Sequence, residues 1–231
     1  MSEIKLIHAD SLEAMWGMAD NAFELAIVDP NYGIKEDGRK NHTRGLLAIA
    51  KNYSDRARYD DQCPPDEYFE QLKRVSKNQI VFGVNYYPIV LGKGRIFWDK
   101  DNSGDFSDGE LAYQSFTDSV RMIQIRWNGM LQYDMKNKET RIHPNQKPIA
   151  LYKWLLTNYA QPGDKILDTH GGSMSIAIAC HDLGYDLELY ELDADYYRDG
   201  VNRYQNHAAQ KQAFIETPQL KLTQTKMFKT A

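Results

Sequence analysis

Asp29-Pro30-Asn31-Tyr32 sets a carboxylate, a proline, a polar side chain and a phenol ring in one short run, directly after the apolar residues Leu25-Ala26-Ile27-Val28. The apolar run reads as a buried strand, and a strand of an open α/β sheet delivers such groups to its C-terminal end, where ligands are held. A carboxylate there accepts hydrogen bonds and a ring there offers a stacking surface. Asp-Pro-Asn-Tyr-Gly is by itself equally good turn sequence, so a second constellation has to decide between the two readings.

That second constellation is Lys165-Ile166-Leu167-Asp168-Thr169-His170-Gly171-Gly172-Ser173-Met174-Ser175, followed by an apolar helical stretch. A strand ending in small residues and passing into a helix lets the backbone come close to a nucleotide-like ligand. Glu191 ends the next strand about twenty residues further on, where an acid can bind ribose hydroxyls. The spacing suits several nucleotide cofactors, but the full Gly-x-Gly-x-x-Gly fingerprint of dinucleotide folds is missing, which disfavours NAD.

The elements that must position these loops alternate. Short runs rich in Ile, Val, Leu and aromatics predict strands over 5–8, 25–29, 79–84, 95–98, 120–127, 165–168 and 187–191, with helices over 11–18, 65–76, 148–159, 173–183 and 194–207. This is the pattern of an α/β domain with helices on both faces of the sheet. Residues 33–64 are long for a connection in a compact domain and are expected to form a mobile, basic loop. Residues 1–210 are expected to form one domain and 211–231 a C-terminal tail.

Composition narrows the class. The 231 residues are 42% hydrophobic and 26% charged, and no apolar run approaches the ~20 residues a bilayer requires, so no membrane association is expected. The start of the chain lacks the order of a secretory signal, and a cytoplasmic location is expected. Cys63 and Cys180 stand apart from other metal-ligating residues, and no metal site is expected. A net charge of -4 does not advertise a nucleic-acid binder, so any such contact must be local. The best candidate is the run holding Lys35, Arg39, Lys40, Arg44, Lys51, Arg56 and Arg58, although Glu36, Asp37, Asp55 and Asp60 make a solvated loop of mixed charge an equal reading.

Further segments carry a family resemblance. Asp29-Pro30-Asn31-Tyr32 resembles the Asp-Pro-Pro-Tyr loop of amino-methyltransferases, and Ile142-His143-Pro144-Asn145-Gln146-Lys147-Pro148 resembles their His-Pro-Thr-Gln-Lys-Pro segment. The order, with Asp29 ahead of Asp168, is similar to that of the permuted, β-class DNA amino-methyltransferases. Phe82-Gly83-Val84-Asn85-Tyr86-Tyr87, Phe97-Trp98-Asp99-Lys100 and 106–112 look like blocks of phage and prophage adenine methylases.

The resemblance implies a Rossmann-like, S-adenosyl-L-methionine-dependent methyltransferase fold with a seven-stranded, mostly parallel sheet and one reversed strand. It implies methyl transfer to the N6 amine of adenine in double-stranded DNA, with cytosine N4 as the alternative chemistry and a DNA-binding pseudoenzyme as the non-catalytic one. An exocyclic base amine is a poor nucleophile because its lone pair is delocalised into the ring. In such a site the Asp29 carboxylate and the Pro30 carbonyl would accept its two N–H groups, and Tyr32 would stack on the extruded base. Asp168, Gly171, Gly172 and Ser173 would hold the methionine end of the cofactor, Glu191 the ribose, and Lys147 and Pro148 would flank the site. Asp10 matches a family position near the cofactor adenine and is equally suited to cap a helix. Arg39, Lys40 and Arg44 are the candidate DNA contacts, with a second copy of the chain in a homodimer as a further source.

Two residues depart from the family pattern. Asn31 replaces a second proline, which leaves Asp29, the Pro30 carbonyl and Tyr32 in place. Met174 replaces a glycine, and a side chain there is expected to crowd the cofactor or to alter the backbone angles available. Trp98 and Trp127 read as packing aromatics, Asp99-Lys100 as a local ion pair, and His170 as a structural histidine.

Overall fold

The computed structural model describes residues 2–34, 62–102, 107–128 and 131–216, with side chains described through residue 211. Arg39, Lys40 and Arg44, and most of the basic loop and the tail, lie outside the described residues.

Along the chain come β1 (Ile4–His8), α1 (Ser11–Trp16), β2 (Phe23–Val28), α2 (Asp66–Val75), β3 (Ser76–Phe82), β4 (Arg95–Asp99), β5 (Gly109–Gln114) and β6 (Val120–Gln124). They continue with α3 (Ile149–Tyr159), β7 (Lys165–Asp168), α4 (Ser175–Leu183), β8 (Asp186–Glu191) and α5 (Ala194–Glu216). One sheet of eight strands has the order β1-β8-β7-β2-β3-β5-β4-β6. Among the described strands, only β5 runs against the others, pairing antiparallel with β3 and β4.

The expected seven strands are therefore eight, and β5 is the addition. Its sequence, Gly-Glu-Leu-Ala-Tyr-Gln, lacks the Ile-Val-Phe of β3 and the Ile-Phe-Trp of β4 that mark those neighbours as strands. Pairing on both sides, rather than local propensity, makes it a strand. The last helix also runs past His207 to Glu216.

Two apolar layers enclose the sheet. Leu25, Ile27, Ile80 and Ile166 point to one side, where they meet Leu151 and Leu155 of α3 and Ile176 and Ala179 of α4. Ala26, Val28 and Val81 point to the other, against Met15 of α1 and Tyr68, Phe69 and Leu72 of α2. The period of two puts successive side chains on opposite faces, so a central parallel strand such as β2 is apolar throughout.

The chain leaves β2 through α2 towards β3, and leaves β7 through α4 towards β8, on opposite faces and in opposite directions. β2 and β7 are parallel neighbours, with Leu25 beside Ile166 and Ala26 beside Leu167. The crevice beyond their C-terminal ends is thus a topological switch point, where a doubly wound sheet leaves room for a ligand.

Met174 has a left-handed backbone, φ 57°, a conformation that glycine adopts at no steric cost. Its side chain is fully buried in the core of the α3 and α4 side. A Cβ placed on Gly200 of α5 would come within 2.8 Å of its Cγ, so the side chain packs towards α5. It does not line the crevice, and the expected crowding gives way to a packing contact.

Candidate active site at the sheet switch point

A cavity of about 640 Å³ opens at the C-terminal ends of β2 and β7. Asp10, Asp29, Pro30, Tyr32, Lys147, Gly172, Ser173 and Glu191 all line it. Pro148, Asp168 and Gly171 stand behind this wall. Pro148 occupies the N-cap of α3, and a Cβ on Gly171 would lie 2.3 Å from Leu189 Cδ2, so glycine lets the turn close against β8.

At one end of the cavity the Asp29 carboxylate meets a charged cluster. Tyr32 Oη donates to Asp29 Oδ1 at 2.6 Å. The Lys147 ammonium pairs with Asp29 Oδ2, with Glu110 Oε2 at 3.0 Å, and donates to Tyr32 Oη at 3.2 Å. Glu110 Oε1 in turn pairs with Lys100 at 2.5 Å. Lys147 is almost fully buried, with 2% of its side chain exposed, so it can hold its charge only because two carboxylates surround it.

These neighbours set the protonation states. Burial would lift Glu110, but Lys147 and Lys100 hold it down at about 2. Burial lifts Asp29, which among the described residues has Lys147 as its counter-charge and feels Glu110 as a like charge. Burial would depress Lys147, and the two carboxylates instead raise it. The ammonium therefore stays charged, and Asp29 is the carboxylate of the cluster that protonates more readily.

Lys147 reaches this position because the loop before α3 is folded around Gln146. The buried Gln146 side chain accepts from Ile142 N at 3.0 Å and donates to Thr140 O at 3.2 Å. Trp127 Nε1 donates to Gln146 O at 2.7 Å, tying the loop to the far side of the sheet. Trp127 and the buried Trp98 are thus packing aromatics, as expected. Asp99 and Lys100 do not pair with each other: Asp99 accepts from Gln124 at 2.9 Å, while Lys100 serves Glu110.

The Pro30 carbonyl accepts from Tyr87 Oη at 2.9 Å, leaving its second lone pair for another donor. The Tyr32 ring lies parallel to Tyr86, with centroids 4.9 Å apart. Its expected stacking partner was a base, and the half-exposed Tyr86 extends that aromatic surface outward. Gly83 makes this arrangement sterically feasible: its φ is +73°, and a Cβ there would lie 2.1 Å from Tyr32 Cε1. Gly83→Ala is expected to lower stability by about 2–4 kcal/mol, from left-handed strain plus displacement of the ring. Urea unfolding of this variant with and without Tyr32→Ala checks it, because the ring-dependent part vanishes in the double variant.

At the other end, Gly172 N donates to Glu191 Oε2 at 2.6 Å and Asp193 N donates to Oε1 at 2.8 Å. Glu191 is raised by burial, which these backbone donors oppose. Asp168 accepts from His170 N at 3.0 Å and is pushed up to about 8 by burial. Asp10 caps α1, accepting from Leu12 N at 2.7 Å, and also faces the cavity. His170 is held down at about 4 by burial, contacts Thr169 Oγ1 at 2.9 Å, and lines the cavity.

A bridge missed by sequence reading fixes the small-residue turn. Arg203 of α5 donates to Ser173 O at 2.6 Å and pairs with Glu139 at 2.7 Å. Glu139 also accepts from Ile149 N at the start of α3, at 2.9 Å. Away from the site, His181, Asp182 and His207 cluster closely. Lys153 at 2.6 Å and Lys211 at 3.0 Å already neutralise that carboxylate, so the cluster ties α3, α4 and α5 together.

The cavity suits a nucleoside with a charged tail. It has the size of small-molecule sites, a carboxylate at the end of β8, backbone of a small-residue turn, and the aromatic rings of Tyr68, Tyr152 and Tyr196 on its walls. No described helix is long and apolar enough to cross a membrane.

Comparison with known proteins agrees with this geometry. The N6/N4 methyltransferase family, described as DNA methylase, matches residues 98–202, a stretch that includes Lys147, Asp168 and Glu191 but not the Asp29 loop. No curated protein matches the chain by sequence. Among solved structures, the M1.HpyAVI–SAM complex superposes with a TM-score of 0.52 at 18% identity, covering 88% of this chain and 100% of that one. PvuII DNA methyltransferase, cytosine-N4-specific, gives 0.56 at 13% identity, covering 88% and 87%. TTHA0409 of Thermus thermophilus, complexed with S-adenosyl-L-methionine, gives 0.52 at 13% identity, covering 90% and 96%. The fold is that of S-adenosyl-L-methionine-dependent methyltransferases, with eight strands here.

Proposed function

We propose that the chain is an S-adenosyl-L-methionine-dependent DNA methyltransferase that methylates the N6 amine of adenine in double-stranded DNA. The observation that carries this reading is the convergence of the Asp29 carboxylate and Pro30 carbonyl with the Gly172–Glu191 turn on one cavity. The match over residues 98–202 to the DNA methylase family supports it from an independent direction.

When bound, the cofactor supplies an electrophilic sulfonium methyl. Glu191 would hold its ribose, Asp168 and the turn at Gly171, Gly172 and Ser173 its methionine end, with Asp10 near its adenine. Asp29 and the Pro30 carbonyl accept the two N–H groups of the amine and so localise its lone pair on nitrogen. The amine nitrogen forms the bond to the methyl carbon as the carbon–sulfur bond breaks. Asp29, lifted by burial, stands where the proton released from nitrogen is taken up.

Resemblance to phage and prophage adenine methylases favours adenine. The superposition on the cytosine-N4-specific PvuII enzyme favours cytosine N4 as the second reading. Incubation with labelled S-adenosyl-L-methionine and unmethylated DNA, followed by nucleoside analysis, decides between them. Label is expected on adenine and absent with Asp29→Ala. Label on cytosine selects the second reading, and no label despite cofactor binding overturns both.

DNA is held in this reading by the basic segment. Reversing the charges of Arg39, Lys40 and Arg44 is expected to weaken DNA binding and to flatten its dependence on salt by up to about three counterions. A titration series across salt concentrations measures both, and unchanged values remove these residues from the interface.

A further inference from the structure

The described part of the site contains more charge than acceptance of an amine requires. Asp29 needs free lone pairs to meet the substrate, yet its Oδ1 already accepts from Tyr32 and its Oδ2 is engaged by Lys147. Lys147 has an alternative partner in Glu110 Oε2, 3.0 Å away. Glu110 is itself fixed from behind, because its other oxygen is held by Lys100 at 2.5 Å and the Lys100 ammonium lies 5.0 Å over the Trp98 ring. Glu110 and Lys100 sit on paired strands, with Glu110 opposite Trp98 across β4 and β5, and Lys100 just past the end of β4. The four charged groups thus form a chain, Asp29, Lys147, Glu110, Lys100, of alternating sign, anchored in the sheet at one end and open to the cavity at the other.

We propose that Glu110 is a positioning residue for methyl transfer: held by Lys100 through one oxygen, it draws the Lys147 ammonium from Asp29 with the other, leaving the Asp29 carboxylate to accept the amine's hydrogen. The inference rests on the reading of Asp29 as the acceptor of a base amine. A small displacement suffices, since Lys147 lies within contact of both carboxylates. No proton has to move for the exchange, because Lys147 stays an ammonium and Glu110 a carboxylate throughout. Without Glu110 the ammonium has, among the described residues, Asp29 as its carboxylate partner and competes with the substrate for it. Without Lys100 the restraint on Glu110 is lost and Lys147 is left to balance its charge.

The two removals therefore act on Asp29 in opposite senses. Glu110→Gln deletes a like charge near Asp29 and lowers the pH at which it ionises. Lys100→Met deletes a cation and raises it. Among the described residues, the other titratable groups facing Asp29 are Tyr32 on its own loop, Tyr68 on α2, Tyr152 on α3 and Asp168 on β7. The tyrosines are pushed up by burial and stay neutral, and Asp168, at about 8, stays protonated below pH 7. Measurements below pH 7 accordingly report the chain itself.

The experiment pairs rate profiles with a direct titration. Single-turnover methyl transfer to DNA is followed from pH 4.5 to 7 for the full-length protein and for both variants, with cofactor affinity measured alongside, and the Asp29 carboxyl is titrated by carbon-13 NMR, assigned against Asp29→Ala. Glu110→Gln is expected to lower the maximal rate about tenfold, with cofactor affinity and KM for DNA within about twofold. Its acid limb and Asp29 titration should move to lower pH by on the order of one unit, and those of Lys100→Met to higher pH by a similar amount. Displacements of the same sign, or rates that fall while both titrations stay put, overturn the proposal and leave Glu110 a packing residue. If either variant fails to fold, Glu110→Asp, which keeps the charge but withdraws it by one methylene, must lower the rate without lowering the Asp29 titration, and a wild-type rate there overturns the idea. A wild-type protein that transfers no methyl to DNA removes the functional reading instead, while the NMR titrations still decide whether the charge chain governs Asp29.

Discussion

Asp29→Ala is expected to slow methyl transfer by about 10³-fold while leaving cofactor affinity within about twofold of wild type. The carboxylate lies at the β2 end of the cavity, and the groups that would hold the nucleoside are at the β7 and β8 ends, so the substitution touches one function and not the other. Its hydrogen bond to the amine strengthens as nitrogen gains positive charge on the way to the transition state. The loss should therefore fall on the rate and not on binding. The fold should survive, because Lys147 keeps Glu110 at 3.0 Å and Tyr32 Oη at 3.2 Å. Burial places the Asp29 pKa above the ordinary carboxylate range, so wild-type transfer should fall on acidification through that raised value, and the residual rate of the variant should lack this limb. Single-turnover assays against pH, with calorimetric cofactor titration, measure all three quantities. A rate unchanged by the substitution would remove Asp29 from the reaction.

The groups around Asp29 differ sharply in how far sequence could reach them. Asp29, Pro30, Asp168 and Glu191 were legible because each ends or directly follows a strand, and the chain order of those strands fixes which ends are neighbours. Lys147 was legible as a site residue, but not as the partner of Asp29, since the contact spans more than a hundred positions and depends on how Gln146 folds its loop. Glu110 was hidden for a different reason. It lies on the one described strand that runs backwards, whose Gly-Glu-Leu-Ala-Tyr-Gln carries no β-branched run, and a strand that is not recognised cannot aim its side chains. An acid inside the 106–112 block was the signal available, and alternation along a reversed strand would have turned it towards the switch point. Met174 misled in the opposite direction. Its position in a small-residue turn suggested a clash with the ligand, and only the helix packing behind that turn reveals a space for its side chain. In each case local chemistry gave the residue and tertiary packing gave its direction.

Lys147→Met should be the most destabilising substitution in the site, at about 3–5 kcal/mol near pH 8. Methionine matches the lysine stem closely enough to fill the space, so the loss is one of charge. It leaves the Asp29 and Glu110 carboxylates, 17% and 20% exposed, facing one another with Lys100 as the remaining cation of the cluster. The pH dependence distinguishes this from a packing defect. In the wild type the Glu110 pKa is depressed to about 2, so its contribution to stability is fully present above the unfolded value of about 4.5 and is lost as pH falls through that window towards 2. Without Lys147 both carboxylates bind protons more tightly in the folded state than in the unfolded one. The variant therefore loses stability as pH rises through the raised folded values, and recovers it in acid as the carboxylates become neutral. Urea unfolding at pH 8 and pH 5 should show the gap between wild type and variant narrowing on acidification. Adding Asp29→Asn to Lys147→Met should recover part of the loss at pH 8, because one of the two uncompensated charges is gone. Equal losses at both pH values, with no recovery in the double variant, would mean that Lys147 contributes through its stem alone and that the alternating chain of charges has no electrostatic function in the folded site.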